Sequence, residues 1–255
     1  MVEEIIFLGT GTSQGVPVIA CDCHTCTSTD PRDNRTRSSI LVRVAGKYFL
    51  IDSGPDMRAQ LLRERVKRMD AVLLTHKHKD HIAGLDDVRA FNFRQQAAMP
   101  VYADALTASQ LKNEFPYIFD GSNYPGIPQV DLQVIDEQPF EVQGVPITPV
   151  LVYHFKMPVT SYRIGDFSYI TDANRIPEAS MERLRGTRVL VINALRKETH
   201  ISHFNLEQAL EVASVINPEV TYLIHMSHHM GRHAEVEPEL PPNVFFSYDG
   251  LRVRV

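Results

Sequence analysis

No apolar run in the 255 residues is long enough to span a bilayer, which takes about 20 residues as a helix. Nor does the N-terminus, Met1-Val2-Glu3-Glu4 followed by the short apolar Ile5-Ile6-Phe7-Leu8, carry the basic region and long hydrophobic segment of a secretory signal. A cytoplasmic location without a membrane partner is the expectation. Positive charge is in deficit, with 26 Lys and Arg against 31 Asp and Glu and a formal net charge of −5, so no global field draws the chain to a long nucleic acid. Cysteine is scarce, and the three present all fall within residues 21–26, which excludes a distributed disulfide scaffold. The glycines of Gly9-Thr10-Gly11-Thr12-Ser13-Gln14-Gly15 match neither a dinucleotide fingerprint nor a phosphate loop, for the spacing differs and no Lys-Ser or Lys-Thr pair follows. They read as a tight turn that lets backbone approach closely. With no repeat, low-complexity tract or evident linker either, residues 1–255 are expected to form one domain around one large core.

What the chain has in unusual density is histidine beside acid. Thr75-His76-Lys77-His78-Lys79-Asp80-His81 places three histidines and an aspartate in six residues directly after the apolar Ala71-Val72-Leu73-Leu74. An aliphatic, β-branched run ending abruptly in polar residues reads as a buried strand emptying into a loop. Imidazoles and a carboxylate this close suit a borderline divalent ion, and four candidates exceed the three protein ligands that one catalytic zinc needs. The surplus points to two metals. The competing reading is a solvated polar loop, for which Lys77 and Lys79 speak.

The second half supplies further donors singly, each ending an apolar run. Pro149-Val150-Leu151-Val152-Tyr153 leads to His154, Phe167-Ser168-Tyr169-Ile170-Thr171 to Asp172, and Val220-Thr221-Tyr222-Leu223-Ile224 to His225, while Val189-Leu190-Val191-Ile192 ends at the weak ligand Asn193. In the first half, Ser38–Val44 and Lys47–Asp52 read as a hairpin joined at Gly46, Met57–Val66 as a helix, Gly84–Arg94 as a short helix and Leu106–Glu114 as another. Strand, helix and strand alternate, as a layered α/β architecture requires. The Pro-, Gly- and aromatic-rich segment from Phe115 to Pro128 is expected to be an ordered surface loop. The clustered thiols of Cys21-Asp22-Cys23-His24-Thr25-Cys26 suit a tetrahedral structural zinc whose fourth ligand is either His24 or a residue from elsewhere, the alternative being three reduced thiols.

Gly9-Thr10-Gly11, the cysteine cluster, Asp52, the His76 to His81 string, His154, Asp172, His203-Phe204-Asn205-Leu206 and His225-Met226-Ser227-His228 occur in this order. The succession covers essentially the whole chain and resembles the metallo-β-lactamase superfamily of dinuclear hydrolases, and within it the PhnP family of phosphodiesterases from the carbon-phosphorus lyase pathway. The resemblance implies a four-layer αβ/βα sandwich, two divalent ions (zinc or manganese) in the active site, a separate structural zinc, and hydrolysis of a small cyclic phosphate diester, with dimerisation possible. Carried over by position, it implies His76, His78 and His154 on one metal, Asp80, His81 and His225 on the other, and Asp172 between them. Asp52 becomes a buried acid bracing the ligand loop, and His203 the general acid, with Asp80 and Asp172 as the catalytic carboxylates. Cys21, Cys23, Cys26 and His228 become the structural zinc site, with the adjacent His229 as a competing ligand. His200 is the residue most easily confused with His203.

The chemistry that follows is attack by a metal-bound hydroxide on phosphorus, with His203 protonating an alkoxide leaving group. Rival activities are a transfer RNA 3′-processing endonuclease, a thioester or lactam hydrolase of the same superfamily, and a zinc-stapled binding module without catalysis.

Overall fold

The structure, a computed structural model, describes residues 1–121 and 124–255. Strands β1 (Val2–Gly9), β2 (Ser39–Val44), β3 (Lys47–Ile51), β4 (Ala71–Leu73), β5 (Met99–Asp104) and β6 (Val130–Ile135) build one sheet. A second contains β7 (Phe140–Val142), β8 (Val145–His154), β9 (Met157–Ile164), β10 (Phe167–Ile170), β11 (Val189–Asn193), β12 (Val220–Ile224) and β13 (Val244–Phe246). The last strand, β14 (Arg252–Arg254), returns to the first sheet and pairs antiparallel with β1.

Period-two alternation makes the layers. Phe7, Phe49, Ile51 and Leu73 point inward to meet Ile147, Tyr162, Phe167, Tyr169 and Ile224 of the facing sheet. Their neighbours Leu8, Leu50 and Val72 point outward beneath Leu61, Phe91 and Leu111 of the helices, while Leu190, Ile192 and Leu223 pack against Ala209 and Ala213 of helix Leu206–Ile216. Helices, sheet, sheet, helices is the four-layer sandwich expected from the motif succession.

Strand direction positions the site. β3 to β6 run parallel, as do β10 to β13, and β8 is antiparallel to β9, which is antiparallel to β10. The C-terminal ends of β3, β4, β8, β10 and β12 therefore share one edge, and Asp52, His76, His154, Asp172 and His225 stand there.

Several element boundaries differ from expectation. The segment read as one helix from Gly84 is a 3₁₀ turn, Leu85–Val88, followed by helix Arg89–Gln95. The helix beginning at Met57 stops at Arg63, because the chain reverses through Arg65 at φ 53°. The aromatic segment after Phe115 holds one helical turn, Pro116–Phe119, with proline in the first turn where its missing N–H costs nothing. Positions 122 and 123 of that segment lie outside the described residues. Among the described residues no helix is long and apolar enough to cross a membrane.

Candidate metal centre

The histidine loop is held from both sheets. β4 is fully buried, and the loop that follows opens a one-turn helix, Lys79–Ile82, with His78 at its N-cap. Asp52 carries most of the bracing. Its Oδ1 accepts from the Thr75 amide at 2.8 Å and its Oδ2 from His81 Nδ1 at 2.7 Å, while the Thr75 hydroxyl donates to the same carboxylate. That hydroxyl has only one proton, so its contact with His76 Nδ1 at 3.0 Å has the imidazole as donor. Tyr162, buried on β9, donates to the Leu74 carbonyl at 2.6 Å, and the Thr160 amide to the Thr75 carbonyl at 2.9 Å. Close backbone approach demands glycine beside the loop: a Cβ on Gly54 would lie 2.2 Å from the Asp80 carbonyl, and one on Gly84 2.1 Å from that of Gly54.

The remaining donors are oriented alike. His154 Nδ1 donates to the Ser202 carbonyl at 2.9 Å. His225 Nδ1 sits 3.1 Å from Ser38 Oγ, which itself donates to the Gly11 carbonyl, so the imidazole is again the donor. In each ring the outer contact occupies Nδ1 and leaves Nε2 turned inward, the way carboxylate and carbonyl partners fix a metal-binding histidine. Asp172 is central. His203 Nε2 and His225 Nε2 lie 3.0 and 3.3 Å from its Oδ1, and His81 Nε2 lies 3.2 Å from its Oδ2. Asn193 holds the adjoining backbone by a pair of bonds, accepting from the Ala173 amide at 2.8 Å and donating to the Ala173 carbonyl at 3.0 Å. Asp52, Asp172 and His225 adopt left-handed φ of 65°, 52° and 59°, conformations that bulky residues hold only where surrounding structure enforces them.

Electrostatics suits cation binding. Burial pushes His76 well below the usual imidazole range and His225 down to about 4, so both are neutral with a free lone pair at pH 7. Burial works to raise Asp172, but His225 and His81 outweigh it and hold the carboxyl well below its ordinary value. His81 is the exception, because burial there is outweighed by Asp80, Asp172 and Asp52, which hold its pKa far above the ordinary range, so a cation there would take the place of the Nε2 proton. Among the described residues His76 Nε2 is buried with no hydrogen-bonding partner, and His81 Nε2 makes no well-aligned hydrogen bond although Asp80 Oδ2 and Asp172 Oδ2 lie 3.1 and 3.2 Å away. Buried polar atoms are seldom left so, and these two face carboxylates and imidazoles rather than donors. Donor atoms converge in three groups, each within 4.8 Å: His76, His81 and Asp172; Asp80, His81 and His225; His154, Asp172 and His203. His78 falls in none of these triplets; its ring lies 4.6 Å from that of His76 and 5.1 Å from that of His154. The donors present fit divalent cations.

A second constellation lies at the surface. His228 Nδ1 is 3.3 Å from Cys21 Sγ, 3.3 Å from Cys23 Sγ and 3.4 Å from Cys26 Sγ. These spacings match tetrahedral Zn–S and Zn–N bonds, which set neighbouring S and N atoms about 3.5 Å apart. The His229 ring lies 4.0 Å from the His228 ring, tilted by 56°, and is outside this group, while His24 pairs with Glu235 at 2.7 Å.

Residues without a sequence signal complete the frame. Ser38, Thr12 (Oγ1 3.2 Å from His225 Nε2), Ser202 and Tyr162 touch the ligands or their loop, and nothing in their local sequence separates them from ordinary polar residues. Asn193 was visible as a polar strand end, yet its function as a backbone clamp shows only in three dimensions.

Residues 47–226 match the beta-lactamase superfamily domain. The chain belongs to the metallo-β-lactamase superfamily. It is similar to a crystal structure described as a new diphosphatase from the PhnP family, with 40% identity, a TM-score of 0.93, and coverage of 100% of this chain and 98% of that one. The family match, the likeness to that diphosphatase and this donor set together make the chain a metal-dependent hydrolase. A curated octanoyltransferase from Porphyromonas gingivalis is 41% identical over 250 residues, which are 96% of this chain but only 50% of that protein. A ribonuclease Z from Methanopyrus kandleri is 26% identical over 265 residues, covering 88% of this chain and 94% of that enzyme.

Proposed function

We propose that this hydrolase is a dinuclear phosphodiesterase acting on a small phosphate diester, a cyclic ribosyl or nucleotide ester being the favoured class. The observation that carries it is Asp172, one carboxylate whose oxygens converge with His76 and with His154, from one set of donors, and lie 3.2 and 3.3 Å from His81 and His225, from the other. We assign His76, His78 and His154 to one cation, Asp80, His81 and His225 to the second, and Asp172 to both. The His76, His78 and His154 rings stand 4.6, 5.1 and 6.0 Å apart. Three imidazoles on one tetrahedral ion, each with its nitrogen about 2 Å away, place their centroids roughly 5 Å apart. Zinc or manganese at these positions would supply an activated water and neutralise phosphate oxygens.

The protein's own groups do the rest. Asp80 and Asp172 provide the negative charge that retains the cations, and Asp52 keeps His81 and Thr75 in register. His203 stands at the N-terminal approach to helix Leu206–Ile216, behind a capping box made by Asn205 and Gln208. Its ring stacks 5.2 Å from that of His225, its Nε2 faces Asp172, and its Nδ1 lies 3.1 Å from His200 Nδ1. Held there, it would donate the proton that an alkoxide leaving group needs, with His200 behind it. The cysteines and His228 would hold a structural zinc apart from this chemistry. A homodimer and a cytoplasmic setting complete the reading.

The likeness to a PhnP-family diphosphatase favours a second reading, cleavage of a phosphoanhydride. Activity measured alongside metal content on cyclic diesters, linear diesters, diphosphates, short RNA and an octanoyl thioester tests both. Cyclic diesters are expected to be turned over fastest, RNA and the thioester least, and a preference for diphosphates would replace the first reading with the second.

A further inference from the structure

Beside the His154 and His203 side of the centre, two apolar side chains point into solvent. Phe155 follows His154 directly at the β8–β9 turn and is 49% exposed; Ile201, two residues before His203, is 69% exposed. Single exposed apolar residues are ordinary, but these two are fixed to one another. Asn174 Oδ1 accepts from the Phe155 amide at 2.9 Å, and Asn174 Nδ2 donates to the Ile201 carbonyl at 2.9 Å. Phe155 also holds φ at 56°. A bulky aromatic residue in the left-handed region is a genuine outlier, where Asn or Gly would sit without strain, and such outliers gather at ligand clamps. Lys156 Nζ lies 5.4 Å from the Phe155 ring centroid, and Arg175 stacks 3.8 Å over neighbouring Tyr153.

We propose that Phe155 and Ile201 form a stacking platform for a nucleobase carried by the substrate's leaving group. The inference rests on the phosphodiesterase reading, which puts the departing oxygen on the His203 side, next to both residues. Every base offers a flat π-face to an aromatic ring, and the nearby lysine and arginine suit an electron-rich base attached to an anionic ester. A simple alkyl or ribosyl phosphate would reach the metals without using the platform.

The test compares adenosine 2′,3′-cyclic phosphate with ethylene glycol cyclic phosphate, which has the same five-membered diester and no base, in wild type, Phe155→Asn and Phe155→Tyr. Phe155→Asn is expected to lower the ratio of kcat/KM values, adenosine over glycol, by about tenfold, the size of one lost base stack. Because Asn tolerates the left-handed backbone, its melting temperature should equal or exceed that of wild type. Phe155→Tyr should retain the ratio. A ligand-observed NMR titration with adenosine alone should show broadening that Phe155→Asn weakens, an arm that needs no turnover. If wild type hydrolyses neither diester, the phosphodiesterase reading fails and the adenosine titration still decides the platform. An unchanged ratio with unchanged adenosine broadening overturns the proposal, as does a lowered melting temperature with equal losses on both diesters, which would make Phe155 a structural residue.

Discussion

The two donor constellations differ in how they are made. Cys21, Cys23 and Cys26 come from one short loop, and only His228 must be brought from afar. Most of the set is local, half-exposed and complete at four donors. The centre at the strand ends draws on both sheets, sits in buried surroundings, and has more donors than one ion needs. Thiolates closed around an ion leave no position for a substrate, whereas histidines and carboxylates around a shared aspartate do. The difference is the one expected if one site holds the chain together and the other acts on something, and it teaches that the second depends far more on the register of the whole sandwich.

Four changes would sharpen or break that contrast. Asp172→Ala has the largest expected effect: turnover lost beyond detection and the strand-end metals released, with one zinc per chain still held by the cysteines in elemental analysis. Loss of all metal together would merge the two sites. His203→Ala comes next, costing about 10² to 10⁴ in rate on an alkyl or cyclic diester and far less on a nitrophenyl diester, whose phenolate leaves without a proton. Metal content belongs in the same measurement, because His154, Asp172 and His203 also converge closely enough to ligate. Equal losses on both esters with metals intact would remove the proton-donor role.

Asp52→Ala should weaken metal affinity about 10- to 100-fold, as removal of a ligand-orienting carboxylate does. Competition with a chelator measures it, and the cysteine site should be indifferent. Cys23→Ser has the smallest effect on chemistry and a clear one on stability: one equivalent of zinc lost, a melting temperature lower by roughly 5 to 10 °C, and activity reduced less than tenfold. Normal zinc content and melting temperature with activity alone lost would falsify the structural assignment.

How much of this was legible in the sequence depends on locality. The His76 to His81 string and the cysteine cluster are read directly because several ligands share one segment. His154, Asp172 and His225 are visible only as polar residues ending apolar runs, the same pattern that Asn193 shows, and Asn193 proves to clamp the backbone at Ala173 instead of joining the ligand set. Periodicity reads Gly84–Arg94 as one continuous helix because it cannot distinguish a 3₁₀ turn running into an α-helix from a single helix. The strand β9 carries no clear apolar alternation, yet its Tyr162 and Thr160 prop the histidine loop through contacts 88 and 85 positions apart along the chain.

The sequence by itself determined the strands that end in ligands, the order of the donors and the family to which they point, since apolar runs and ligand chemistry are properties of segments. Only the tertiary structure decided that His228 rather than His229 or His24 faces the three sulfurs, that Asp172 lies between His81, His203 and His225, and that Phe155 and Ile201 are tied to one asparagine. Each of these depends on sheet register and on which Nδ1 finds a partner across the sandwich, and such long-range hydrogen bonds leave no periodic trace in the chain.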